Sequence, residues 1–358
     1  MTTPAWPFRR SAGFALPIVI FTVAIFALSA FTLAESVNGY ATQLRRAKDQ
    51  AEFERRAAIV EARLAYLALS EPMSARSIAV GGDRAAPFDA PPVGRGGARQ
   101  LREVMLDGAW YEIDIEGTRF EASLQDEAGL PNINGRSPER LARSLEGAGA
   151  TPDAARLLAD RIVDFTDGDD VRRPRGAERR EYQRAALEPP PNAPVADIRE
   201  AGGVLGWSEF LAPKARAAAV AALRAAPADS SFNVNTARGP ALAAAFGIDE
   251  RTVETVLRRR NGVMIRNTDD LAAIAGGGFQ LDEIRIAAEP ARTIRLVIRE
   301  ASPGGRLRRE QTSSLVLAKP GDEAPIGYGR RSVHRSADIR SEDERAQPLP
   351  GGANLLAR

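Results

Sequence analysis

RRSAGFALPIVIFTVAIFALSAFTLAE occupies residues 9–35. Arg9 and Arg10 lead into the small residues Ser11, Ala12 and Gly13, and no charge follows until Glu35. A secretory signal has an apolar region of about 7–15 residues followed by its cleavage site. The run from Phe14 to Ala34 is longer and reaches the roughly 20 residues with which a helix crosses a bilayer. A retained membrane anchor is therefore the stronger reading. The arginines on its leading side place the N-terminus in the cytoplasm and the chain after about residue 36 outside. Pro17 stands near the start of this segment. Proline lacks an amide proton and clashes with the carbonyl four residues back. The first four amides of a helix have no internal partner, so Pro17 costs least if the mature chain begins at Phe14.

Beyond the anchor, Leu44, Ala47, Ala51, Ala58, Ala62 and Ala65 alternate with charged residues at helical spacing, and no proline interrupts before Pro72. One long helix to about residue 70 is expected. Residues 71–99 are rich in Gly, Pro, Ala and Arg and read as a loop. Tyr111, Ile113 and Ile115 alternate with Glu112, Asp114 and Glu116, and after Gly117-Thr118 the alternation resumes at Phe120, Ala122 and Leu124. That is a hairpin or a bent strand pair. Ser137-Pro138 and Thr151-Pro152-Asp153 are helix starts, with a hydroxyl cap and a proline in the first turn. They open a block of short helices to about residue 288, with further helices over 214–225, 236–246, 249–259 and 269–275. Residues 293–299 (TIRLVIR) and 312–317 read as a second strand pair.

The chain has no cysteine, which removes disulfides, thiolate nucleophiles and zinc–thiolate sites. It has a single histidine, His334, and no G-x-S-x-G, P-loop or H-E-x-x-H motif. A formal net charge of +2 argues against a general nucleic-acid binder. Residues 236–274, which could pass for helix-hairpin-helix units, are read on that ground as unlinked to DNA.

The sharpest chemical cluster is ADRIVDFTDGDDVRRPRGAERREY, residues 159–182. It holds Asp164, Asp167, Asp169, Asp170 and Glu178 within fifteen positions. Hard cations such as calcium take six to eight oxygens, largely from carboxylates and loop carbonyls. The spacing is not that of an EF-hand. A solvated acidic turn neutralised by Arg172, Arg173 and Arg175 is the reading these residues favour by themselves.

Basic residues, Gly13, Phe14 and a long apolar helix resemble the processing site of type IV pilin-like proteins. The resemblance implies prepilin-peptidase cleavage between Gly13 and Phe14, retention of the span and methylation of the new amine. The fifth residue of the mature chain would be Ile18, where most of the class carries Glu, and lack of that Glu is characteristic of the type II secretion protein K family. DFTDGD (164–169), GAE (176–178) and Tyr182 resemble that family's D-W-I-D-x-D, G-A-E and tyrosine. Asp126-Glu127-Ala128-Gly129 with Asn132-Ile133-Asn134, and Phe232-Asn233-Val234-Asn235-Thr236-Ala237, resemble two further family segments. The asparagines are expected to bond backbone in turns and caps.

The resemblance implies an α+β fold: a pilin-like N-terminal helix, transmembrane in its first half, a small antiparallel sheet and a large inserted helical domain. The expected organisation is a leader over 1–13, a transmembrane helix over 14–34, its extension over 35–71, a pilin-like domain from 72–136 and 289–320, the insertion over 137–288, and a tail without order over 321–358. It implies a non-enzymatic minor pseudopilin at the tip of a periplasmic pseudopilus, needed for its assembly and for export of folded proteins. The implied site is a calcium ion on Asp164, Asp167, Asp169, Asp170 and Glu178, with Arg172, Arg173 and Arg175, a departure from the family pattern, lowering affinity. The implied partners are other minor pseudopilins through the N-terminal helix, the prepilin peptidase, the inner-membrane assembly platform, and secreted cargo or the outer-membrane channel, with no nucleic acid. Two alternatives stay open: a minor pilin of a type IV pilus or DNA-uptake system, and a membrane-anchored calcium-dependent periplasmic hydrolase.

Overall fold

The computed structural model describes residues 15–80, 102–276, 284–301, 307–317, 326–328, 332–334 and 347–348. Its contacts divide the chain into two compact units, one up to Arg56 and one from Ala57 onward. Helix α1 (Ala15–Ser70) runs through both. Pro17 falls in its first turn, where a missing amide proton leaves no bond unmade. Its leading half is apolar enough to cross a membrane, with a mean hydropathy of 2.4 and none of that stretch buried. Leu16, Ile18, Phe21, Phe26 and Phe31 are among its exposed large side chains. Gly13 and Phe14, the expected cleavage and methylation residues, lie outside the described residues.

In the second unit, β1 (Ser77–Val80) and β2 (Arg102–Met105) form a small antiparallel pair. The run that reads as a loop therefore begins with a strand, tied down by a pairing to residues some 25 positions away. Strands β3 (Asp107–Ile115) and β4 (Thr118–Asp126) form the expected hairpin. Its two-residue turn puts Glu116 at φ 54° and Gly117 at φ 75°, left-handed at both positions, as a tight hairpin of matching twist requires.

Helices α2 (Pro138–Gly147) and α3 (Pro152–Thr166) follow, capped by Ser137 and Thr151 as their sequences suggest. Next come α4 (Arg179–Arg184), α5 (Trp207–Phe210) and α6 (Pro213–Ala222). Then α7 (Gly239–Phe246) ends at left-handed Gly247, α8 (Glu250–Arg259) is capped by Asp249, and α9 (Thr268–Ala275) by Asn267. Among the described residues the helical block shows two cores. One gathers Leu141, Leu145, Leu158, Ile162, Phe165, Tyr182 and Trp207. The other gathers Phe232, Val234, Leu242, Phe246, Val256 and Leu271.

The chain then returns to the sheet with β5 (Thr293–Ala301) and β6 (Leu307–Leu317). The tail, expected to lack order, places three short strands on this sheet: β7 (Ile326–Tyr328), β8 (Ser332–His334) and β9 (Gln347–Pro348). β7 and β8 both pair with β6 and β9 pairs with β3, so the open sheet edges recruit segments too short and polar to be read as strands.

The strand order β6-β5-β4-β3 gives two distinct faces. Ala122 stands opposite Ile298, and Ile298 opposite Gln311. Directly opposed residues share a face. Gln311 donates to Glu61 of α1 at 3.0 Å, so the 57–70 stretch of α1 covers this apolar face. The other face carries Glu121, Ser123, Gln125, Arg295 and Arg299, all buried. Glu121 and Arg299, paired in register, bond at 2.7 Å, and the guanidinium stacks 3.5 Å from the Trp110 ring centroid. Arg295 donates to the carbonyls of Val220, Ala221 and Leu223, the open C-terminal end of α6. This face therefore receives the helical block.

Both ends of the block meet at Asp126, the last residue of β4. Its wholly buried carboxylate accepts from Ala128 N, Asn233 Nδ2, Thr236 Oγ1 and Ala291 N at 2.7–2.9 Å. Gly129 is required beside it, since a β-carbon there would come within 2.8 Å of the Thr236 backbone.

Candidate functional site: a carboxylate cluster in the helical block

Asp164 lies in the last turn of α3 and has no exposed side-chain surface. One turn earlier on the same helix sits Asp160, also buried. The loop after α3 folds back onto these two acids. Arg173 N donates to both oxygens of Asp164 at 3.4 and 3.2 Å, and Arg175 N donates to Asp160 at 3.3 Å. Gly176 passes so close that a β-carbon would stand 1.8 Å from Asp164 Oδ2. Only glycine permits this approach.

Asp167 caps the end of α3, and its Oδ1 is buried without a hydrogen bond. Asp169 and Asp170 are exposed in the loop. Asp169 Oδ1 accepts from Val171 N at 2.8 Å. Asp170 Oδ1 accepts from Asn192 Nδ2 at 3.0 Å, and the same amide nitrogen reaches Asp169 O at 2.8 Å. Glu178, at the N-cap of α4, is only 5% exposed; it faces the Glu181 backbone in a capping box, but neither of its carboxylate oxygens makes a well-formed hydrogen bond.

The five sequence-expected carboxylates therefore share one electrostatic neighbourhood. Burial, then the charges of Asp164, Asp167, Asp170 and Asp169, push Glu178 up to about 7. Burial raises Asp164 to about 6, with Asp167 adding to it and Arg173 opposing. Asp167 is raised by burial and Asp169, against Arg173 and Arg136. Asp164, Asp167 and Glu178 form the dry inner part, while Asp169 and Asp170 form a wet rim. Among the described residues no three acids converge closely enough to be a preformed metal site. The orphaned oxygens of Glu178 and Asp167 are nonetheless what a hard cation would satisfy.

Reading the sequence missed two residues here. Asp160 looks like an ordinary helix residue. Asn192 (φ 46°) arrives across a proline run, and its Oδ1 is buried without a partner. The only signal for it was the Pro-Pro-Pro-Asn turn itself.

Other motif residues are structural. Tyr182 accepts from Leu205 N at 3.0 Å, with its ring centroid 6.3 Å from that of Phe165. The asparagines tie remote backbone, beyond the local turns expected. Asn134 exchanges bonds with Val195 at 2.9 Å in both directions. Asn235 does the same with Ile265, and Asn132 with Ala226.

Residues 122–223 match the family described as type II secretion system (T2SS), protein K. A protein named type II secretion system protein K, from Pseudomonas aeruginosa (strain PAO1), is 29% identical over 217 residues. That match takes in 54% of this chain and spans 62% of the length of the relative. The fold is similar to a chain in the crystal structure of the GspK-GspI-GspJ complex from the enterotoxigenic Escherichia coli type 2 secretion system. The TM-score is 0.51 at 15% identity, over 81% of this chain and 100% of the other. The resemblance to the protein K family thus holds in sequence over its central part, and the α+β fold with a helical insertion holds across most of the chain.

Proposed function

We propose that this chain is a minor pseudopilin of type II secretion, of the protein K kind, anchored in the inner membrane by the first half of α1. The observation that carries the reading is the helical block, about 165 residues placed between β4 and β5 behind an apolar N-terminal helix. A filament of stacked pilin-like subunits has no room for such a block except where nothing stacks above it, at the tip. The family match over residues 122–223 falls on this part of the chain and supports the reading.

In this role the exposed apolar side chains of α1 pack against the helices of other minor pseudopilins within the membrane, by close fit and lipid exclusion. Prepilin peptidase cuts before Phe14, and the absence of a carboxylate at Ile18 suits a first subunit that has no neighbour ahead of it. The inner-membrane assembly platform and secreted cargo or the outer-membrane channel complete the partner set. The work is mechanical and recognitional. A divalent cation, calcium by the chemistry of its all-oxygen donors, would be held by Asp164, Asp167 and Glu178 from the dry side and by Asp169 and Asp170 from the rim. When bound it would supply positive charge that cancels the repulsion among them. The chain's own residues fix the loop on α3 and keep water from the inner acids.

The test is removal of this chain from its native host, with complementation, and the mass of the N-terminal peptide from membranes. Loss of export of folded proteins, restored by the intact chain, together with a methylated Phe14, is the expected result. Normal export, or an N-terminus still at Met1 or Thr2, would overturn the proposal. Lost pili or DNA uptake with normal export would point to the related pilus role.

A further inference from the structure

Arg173 is the guanidinium that stands against Asp164, the most deeply buried of the inner acids. Its backbone N–H is committed to Asp164, which fixes the residue in place. Its Nε stands 3.7 Å from Asp164 Oδ1, yet that nitrogen is buried and makes no hydrogen bond. The charge is thus held by proximity alone, without the forked bonds that make an arginine–carboxylate pair strong. Its side chain is 36% exposed, so it has a route to solvent. It also opposes the charge on Asp167, together with Arg136. Glu178 feels the charges of Asp164, Asp167, Asp170 and Asp169. Arg172 acts elsewhere, on Glu181, and Arg175 meets the cluster through its backbone at Asp160.

We infer that Arg173 is a resident counter-ion of the carboxylate cluster, displaced when a divalent cation binds, and that it sets the affinity of the cluster for that cation. This rests on the cation reading given above. Two monovalent guanidiniums, those of Arg173 and Arg136, are set against three inner carboxylates, so the cluster keeps unbalanced negative charge. A divalent ion supplies twice the charge of either and accepts oxygens from all sides. It cannot share Asp164 with a guanidinium at van der Waals distance, so the two compete. The sequence carries its own weak competitor, and binding is tuned toward a high cation concentration.

The experiment is calcium titration by calorimetry on the full-length chain in detergent, for wild type, R173M, R173K and R172M. R173M is expected to bind calcium on the order of tenfold more tightly, as a charge a few ångströms from the ligands is removed. R172M should bind as wild type does. R173K, which keeps the charge on a different head group, should stay within about threefold of wild type. Wild type that binds calcium, with R173M no tighter, would overturn the counter-ion role and leave the cation site standing. Binding by neither would overturn the cation site and the inference with it. Should R173M fail to fold, R173Q serves in its place, with the same expected gain and the same overturning result.

Discussion

Replacing Glu178 by Gln should invert its effect on stability depending on whether calcium is present. At pH 7.5 the carboxylate is largely ionised, although its surroundings push it up to about 7 from an ordinary 4.5. At about 1.4 kcal/mol per decade of proton affinity, that displacement corresponds to about 3 kcal/mol of unfavourable charge in the folded state. The repulsion is shared with Asp164 and relaxes when either is removed, so about 1–2 kcal/mol is the gain expected from neutralising Glu178 alone. E178Q in chelator should therefore melt about 2–5 °C above wild type, given the usual scaling for a chain of this size. At calcium one hundredfold above its dissociation constant, wild type gains about 2.7 kcal/mol by mass action, and the variant should gain little. The order of the two melting temperatures then reverses. Differential scanning calorimetry of both proteins, with chelator and with calcium, reads this directly. A variant that melts lower than wild type in chelator would refute the repulsion argument. One that gains as much from calcium as wild type would remove Glu178 from the ligand set.

The pH dependence follows from the same acids. Asp164 and Glu178 hold protons in the folded chain at pH values where the unfolded chain has released them. Their contribution to stability is therefore largest below about pH 4.5 and is lost as pH rises through 6 to 7. The cation-free protein should melt higher at pH 5.5 than at 7.5, and calcium should flatten that slope; melting curves across pH check it. Gly176→Ala should drive Asp164 off the loop, costing about 2–4 kcal/mol by overpacking and abolishing calcium stabilisation, measured by denaturant unfolding. Arg299→Leu should cost about 3–5 kcal/mol, because it takes the guanidinium away from the buried carboxylate of Glu121, and the further change Glu121→Leu should restore most of the loss in the same assay.

The elements legible in the sequence were those with local causes. Ser137 and Thr151 mark the starts of α2 and α3 because a hydroxyl cap and a following proline act within one turn. The β3–β4 hairpin was legible from its alternation, since the apolar residues of each strand fall on one face and the polar ones on the other, although β4 is buried on both. β1 was not, because four residues in a glycine- and proline-rich neighbourhood become a strand only through a partner far along the chain. The tail strands fail for the same reason. At the site, the acidic residues stood out by composition, but their division into a dry inner set and a wet rim depends on how the loop folds over α3. Asn192 enters from 22 positions beyond Asp170, and no short-range pattern announces such a contact. The two readings left open by the sequence, cation site and neutralised turn, meet in Arg173, which does part of the neutralising.

The knot at Asp126 bears on how load travels. A hinge needs a few residues free to change their backbone angles. Here the outgoing chain at Ala128, the returning chain at Ala291 and the middle of the block at Asn233 and Thr236 are all bonded to one buried carboxylate. Arg295 clamps the end of α6 to the same sheet face. A push delivered to the sheet would reach the helical block as through a welded joint, with little of the stroke lost to bending where the two meet.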